Sequence, residues 1–476
     1  MPVRQVLSAV LEKQAESSDF WKGAALYEQC VSAHAETLKT ADPLYTYGYE
    51  LLGMPYSVYM HQVIERAAQT GIDHLIFIAR EGYLFKKIYE VLQAELPPAL
   101  SVEVTTSYAY LSRMSTFLAS TPRLTTREIE LITYKFDQKG LWSALKYVGL
   151  PVAEFQPLVE DYGIEIKQPL VAYWNDQKLL AFLNDRRVQE KVRFYHQRAY
   201  DNLYAYLGQC QFWGQHRKVA LIDVGWDGTI QDNLVRAFGH LPEFPLLHGL
   251  YFGRRNMKQV LRYSSSFSNG LIFDQRDYDI NAESIQSCAT LFEKGAGAPH
   301  ASTVGHERLE DGLVRPVFKS EQAFSRQGEV VSDPAVAVMQ QGAVDFAAQY
   351  ARQVQPVQQA AVEAVDDGAI AAAPAPIASR YVPFVKGLLT RHVAYPTLEE
   401  AALIASRLGQ FSEDMGEDTL RSVAVTSTEL GKLMKAGKLK AVKRSVTASN
   451  WRSATVRLVG IPGLHFLYTL KRFLFF

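Results

Sequence analysis

Asp223, Gly225, Gly228 and Thr229 stand together in the segment 218–238, KVALIDVGWDGTIQDNLVRAF. An apolar run, Val219 to Ile222, leads into the acid. A helical spacing of Ile230, Leu234, Val235 and Phe238 follows the loop. That order predicts a strand, a glycine loop and a helix, the way an open α/β sheet presents an anion site. The carboxylate can hold sugar hydroxyls or a metal ion. Glycines let backbone N–H groups close on an anion, and the helix N-terminus adds partial positive charge. The pattern pairs a hydroxyl-type ligand, Asp223, with a phosphate cradle running from Gly225 through Trp226 and Asp227 to Gly228 and Thr229. An ordinary strand-to-helix turn has the same outline.

A second anion loop precedes it. The run His74 to Ala79, HLIFIA, reads as a strand, followed by Arg80-Glu81-Gly82 and the helical run YLFKKIYEVLQAEL, stopped by Pro97 and Pro98. Arg80 can face an anion. Glu81 is out of place beside phosphate unless it meets magnesium or an acceptor hydroxyl. Ser101 to Leu111 reads as a further strand that delivers Tyr108, Tyr110, Ser112 and Arg113, and Arg113 can clamp phosphate across a crevice. Asp277 and Asp279 form a DxD, but FDQR before them is not an apolar strand. Glu283 and Glu293 could border the site; the lone His300 and His392 read as structural. No GxSxG, HExxH or P-loop motif occurs.

These loops need a sheet to carry them. The chain has 476 residues, 48% hydrophobic and 21% charged, a globular balance with room for two or three domains. Zero formal net charge argues against a nucleic-acid partner. Three scattered cysteines, Cys30, Cys210 and Cys288, fit a reducing compartment. The first residues do not read as a signal peptide, and no apolar run reaches the ~18 residues of a spanning helix. The charge is uneven: from Lys432 onward there are ten basic residues and no acid, and the chain closes on LVGIPGLHFLYTLKRFLFF. A basic, aromatic tail of this kind suits an anionic membrane surface.

Residues 1–70 read as helices, 120–215 as a helical cap inserted in the sheet, and HGLYF (248–252) as another strand. Strands alternating with helices predict a parallel sheet. Gln353 to Pro376 reads as a linker and 380–430 as a small helical unit. The expected layout is therefore an α/β domain over 1–320 with a helical insertion at about 118–215, a helical domain over 321–430, and a membrane-associating tail over 431–476.

Two strand–loop–helix anion sites with a strand ending in Arg resemble the type I phosphoribosyltransferases, which hold phosphoribosyl pyrophosphate (PRPP) between two such loops. Asp223 matches the second acid of their phosphoribosyl loop, and Gly228-Thr229 its Gly-Thr. Ile222 replaces the first acid, Asp227 a common Thr, and Glu81 a usual Gly of the pyrophosphate loop. YGYELLG (47–53), LIFIAREGYLFKKIYE (75–90), YLSR (110–113), ALIDVGWDGTIQ (220–231), GLYFG (249–253) and PTLEEA (396–401) resemble a bacterial surface-polysaccharide family. Its longer members carry an added haloacid-dehalogenase phosphatase.

The resemblance implies a type I phosphoribosyltransferase-like parallel sheet flanked by helices. It implies transfer of 5-phosphoribose from PRPP to a hydroxyl of an undecaprenyl-linked glycan in O-antigen or capsule biosynthesis, with Mg²⁺ as cofactor. The β-ribofuranosyl 5-phosphate product would go to a separate phosphatase. Asp223 would hold the ribose hydroxyls and could touch the metal. Gly225, Trp226, Gly228 and Thr229 would bind the 5-phosphate, and Arg80, Gly82 and Arg113 the pyrophosphate. Asp227 and Glu81 are the expected acid–base residues. The place of work would be cytoplasmic, peripheral on the inner face of the bacterial inner membrane. The competing expectations are a haloacid-dehalogenase-like phosphatase with Asp223 as nucleophile and a non-catalytic assembly protein.

Overall fold

A computed structural model describes residues 19–96, 104–133, 140–170, 173–214, 217–255, 268–275, 288–319, 334–366, 376–408, 410–414, 418–422, 439–448 and 451–459, with single positions between them. Five strands make one sheet: β1 (His74–Ile78), β2 (Thr105–Ala109), β3 (Lys218–Trp226), β4 (Leu246–Arg254) and β5 (Ser268–Asp274). All neighbours are parallel, in the order β2-β1-β3-β4-β5. The chain is thus an α/β protein with a parallel sheet flanked by helices.

The sequence explains why the sheet is covered on both faces. Strand residues alternate sides. In β1, Leu75 and Phe77 enter one core while Ile76 and Ile78 enter another. In β3, Ala220, Ile222 and Val224 join the first, Val219 and Leu221 the second. A strand buried on both faces reads as a continuous apolar run, which is what HLIFI and VALI are. The first face packs on the helices Met54–Thr70, Gly82–Glu95 and Pro334–Asp366, the second on Arg186–Gln209 and Thr229–Phe238.

Between β2 and β3 the described elements are helices, apart from one isolated bridge, Gly140 to Pro169. They bury a separate core around Phe117, Leu145, Phe155, Phe182 and Val192. A hairpin of β6 (Thr303–Arg308) and β7 (Val314–Phe318) packs between this cap and the sheet. Sequence reasoning missed that hairpin and β5.

Two expectations need correction. Gln353 to Pro376 is not a linker from its start, because the helix Pro334–Asp366 runs through its first fourteen residues. Ala and Gln favour helix strongly enough to carry the segment, with Pro356 accommodated inside it. The unit over 380–430 is not wholly helical. After Val382–Ala394 and Leu398–Arg407 comes an antiparallel hairpin, β8 (Gln410–Asp414) with β9 (Asp418–Ser422). The helix Pro334–Asp366 also shares one core with the helices of residues 19–95, so the segments on either side of 320 pack as a unit.

The start of the basic tail is docked on the protein. Trp451 is buried, and its indole N–H donates to the Val393 carbonyl at 3.0 Å. Ala454, Val456 and Leu458 are buried with it, while Lys440, Arg452 and Arg457 are exposed. No helix among the described residues is long and apolar enough to cross a membrane.

Candidate functional site

The strand order fixes where a ligand crevice opens. From β1 the chain winds outward to β2; from β3 it winds the other way through β4 to β5. The reversal falls between β1 and β3, and a parallel sheet binds ligands outside the carboxyl ends of its strands at such a point. Both loops singled out in the sequence end there, one on β1 and one on β3.

Three carboxyl groups gather at this point. Glu81 follows β1, Asp223 lies near the end of β3, and Glu293 comes from the helix Ala289–Ala296. All three keep partial contact with solvent. Burial first, and then the charge of Glu293, pushes the Glu81 carboxyl up to about 6, against the pull of Arg80 and of backbone N–H groups. Burial and the charges of Glu81 and Glu293 hold Asp223 well above the ordinary carboxylate range. The N–H of Val224 donates to Asp223 Oδ1 at 2.8 Å, and the N–H of Arg80 to Glu81 Oε2 at 3.2 Å. Like charges held this close favour a site that receives a cation or donates protons to hydroxyl ligands. Tyr59, buried beneath, ties β3 to β4 by donating to the carbonyls of Asp223 (2.9 Å) and Leu250 (2.7 Å).

The loop after Asp223 is built from left-handed backbone. Gly225 has φ 93°, Trp226 φ 49° and Gly228 φ 67°. A Cβ on Gly225 would collide with Tyr251, so the position requires glycine twice over. Gly228 caps the helix Thr229–Phe238 without a side-chain bond to its first N–H groups. Those N–H groups and the helix dipole are therefore presented at the loop. The buried Arg254 lies behind it, with Nη1 2.6 Å from where a Gly228 Cβ would stand. Trp226 turns its indole away to donate to Glu293 Oε1 at 2.7 Å, joining the loop to the carboxylate cluster.

Asp227 has a different part. It is buried, and both its oxygens accept from Arg255, Nε at 2.8 Å and Nη2 at 2.7 Å. A carboxylate held in a fork by a guanidinium braces the loop and is a poor proton acceptor. Gly82 begins the helix Gly82–Glu95, where a Cβ would press on the Phe77 backbone. The Ala79–Arg80 peptide is cis. Arg113 is the first residue of the helix Arg113–Phe117, behind a Ser112–Ser115 capping box. It stands at the carboxyl end of β2, with β1 between it and Asp223.

Sequence reasoning left Glu293 unfixed and missed Arg254 and Tyr59. Glu293 reaches the site by a tertiary contact that no local spacing announces. Arg254 directly follows GLYFG, so a charged residue closing an apolar strand was its one visible signal. His392 is buried between the hydroxyl of Tyr47 (2.6 Å) and Glu400 (3.4 Å), a structural place. Asp277, Asp279 and Glu283 lie outside the described residues.

Among the described residues no three His, Cys, Asp or Glu groups form a metal cage. Magnesium does not require one: it keeps waters and is commonly held by one or two carboxylates plus substrate phosphate. Asp223 is the crevice carboxylate that could hold one.

Fold and site together define an α/β protein with a carboxylate cluster and a left-handed glycine loop at the switch point of a parallel sheet. No protein-family model matches the sequence, and no curated protein matches it.

Proposed function

We propose that the chain is a PRPP-dependent phosphoribosyltransferase acting on a lipid-linked glycan, with a sheet of the type I phosphoribosyltransferase kind. One observation carries the reading: two anion-type loops, one after β1 and one after β3, open at the same switch point with acids between them. A ribose bearing phosphate at one end and pyrophosphate at the other needs that division of labour.

In this account the loop from Gly225 to Thr229 binds the 5-phosphate through backbone N–H groups, with Arg254 adding charge from behind. Asp223 accepts hydrogen bonds from the ribose hydroxyls. Arg80, Gly82 and Arg113 attend the pyrophosphate. Asp223 would hold a magnesium ion, which would supply charge neutralisation of the pyrophosphate. The C1–pyrophosphate bond breaks as the acceptor hydroxyl forms its bond to C1 from the opposite face, and the hydroxyl proton passes to Glu81. Catalysis is mostly positioning and charge stabilisation. The basic, aromatic C-terminal segment brings this site to an anionic membrane surface at the inner leaflet, where an undecaprenyl-linked acceptor resides. A separate phosphatase then completes the product.

Calorimetry with PRPP and Mg²⁺ tests the ligand. Binding that is weakened at least about tenfold by Asp223→Asn, on the usual worth of a charged hydrogen bond, supports the assignment. Absence of PRPP binding to the wild-type protein refutes it.

A further inference from the structure

A chain of aromatic side chains leads outward from Glu81. The Tyr108 hydroxyl meets Nε2 of His300 at 2.7 Å. Nδ1 of His300 lies 2.9 Å from the Ala301 carbonyl, which can only accept. Nδ1 therefore carries the proton, and Nε2 accepts from the phenol. Tyr108 spends its proton on His300, which leaves its oxygen free to accept. That oxygen also lies 3.5 Å from the carbonyl of Arg80, the residue just before Glu81, and burial and then the Glu81 charge push this phenol up.

Beyond Tyr108 the rings continue. Tyr110 stands 5.2 Å from Tyr108, 5.0 Å from His300 and 5.4 Å from Phe318, between ring centroids, and His300 is 5.5 Å from Phe318. These residues come from three segments: the end of β2, the stretch before β6, and the end of β7. All stay partly open to solvent, whereas the ring cluster of Tyr56, Tyr59, Phe85 and Phe252 is fully buried. The shelf is also held rigid. The N–H of Tyr110 donates to the Tyr206 hydroxyl at 2.8 Å, and its carbonyl accepts from His306 Nε2 at 3.0 Å.

We infer that Tyr110, His300 and Phe318 form the acceptor-sugar subsite, a shelf for one apolar face of a pyranose ring, with the Tyr108 oxygen receiving a hydroxyl at its polar end. A pyranose has a C–H face suited to aromatic surface and an edge of hydroxyls, and a binding site of this kind joins apolar rings to a few fixed polar atoms. The position next to Glu81 brings an acceptor hydroxyl to the residue that takes its proton. The inference rests on the transferase reading for the identity of the sugar as acceptor, not for the shelf itself.

Saturation-transfer NMR with the methyl glycosides of glucose, galactose, N-acetylglucosamine and rhamnose reads the shelf directly and requires no PRPP. At least one glycoside should receive saturation from wild-type protein. Tyr110→Ala and Phe318→Leu should abolish it, while the unfolding midpoint of Phe318→Leu stays near wild type. In the transfer assay the same variants should raise the KM for glycan about 3- to 10-fold, the worth of one aromatic contact, and leave the KM for PRPP unchanged. No saturation of any glycoside, or saturation unchanged in both variants, overturns the shelf. Sugar binding that follows the variants in a protein unable to use PRPP would keep the shelf and remove the transferase reading.

Discussion

Glu81 and Asp223 are acids placed where charge is costly, and that cost is the signature of the site. Burial and the charge of Glu293 push the Glu81 carboxyl up to about 6 in the folded chain, above the ordinary value for a glutamate. Its neutral form is the one the fold favours. The associated stability is present below the unfolded-state pKa and is lost as pH rises through about 6. Glu81→Gln should therefore stabilise the ligand-free protein at pH 7.5, by up to about 2 kcal/mol on the linkage relation, and have little effect at pH 4.5. Thermal unfolding at the two pH values checks this; a variant less stable than wild type at pH 7.5 contradicts the charged cluster. The same group as base needs its ionised form. Transfer should rise with pH through about 6, and Glu81→Gln should lose that limb with kcat down about 10²- to 10⁴-fold. A pH–rate profile that keeps its acidic limb in the variant would assign the base elsewhere.

The glycine loop between β3 and the helix Thr229–Phe238 is the element that this chemistry depends on. Gly225→Ala meets both a left-handed φ and the Tyr251 side chain, and Gly228→Ala meets φ 67° and Arg254. Each should cost about 1–3 kcal/mol of stability and weaken phosphate binding more than Ala substitution at an ordinary loop position. Denaturant melts and PRPP titration of the two variants measure both; wild-type affinity in either would mean that the loop does not hold phosphate. This loop was legible in the sequence because its parts are local: an apolar run, then an acid, glycines and a helical period. β1 and the helical cap were legible for the same reason. The hairpin β6–β7 was not, since GHER and VRPVF carry little alternation and gain their place by packing on the cap. Glu293 and Arg254 could not be assigned to the site because tertiary folding, not spacing, brings them to it. The tie of Asp227 to Arg255, twenty-eight residues on, is invisible in the sequence.

The whole molecule joins the carboxylate cluster at the sheet's switch point to a C-terminal segment that is anchored by Trp451 and shows basic side chains outward. Charge reversal of the exposed Lys432, Lys440, Arg452 and Arg457 should leave the fold intact and reduce sedimentation with vesicles containing anionic lipid at about 0.15 M salt, each basic residue near a surface being worth about 1 kcal/mol. Unchanged sedimentation would separate the segment from membrane binding. The central claim, that the crevice moves a phosphoribosyl group, has a more direct test. Purified protein is incubated with PRPP, Mg²⁺ and a panel of synthetic lipid-linked glycans, and the products are read by mass spectrometry. One acceptor should gain the mass of a single phosphoribosyl unit, pyrophosphate should be released in equal amount, and Asp223→Asn should abolish both. Acceptors that stay unmodified across the panel, with PRPP intact, contradict it.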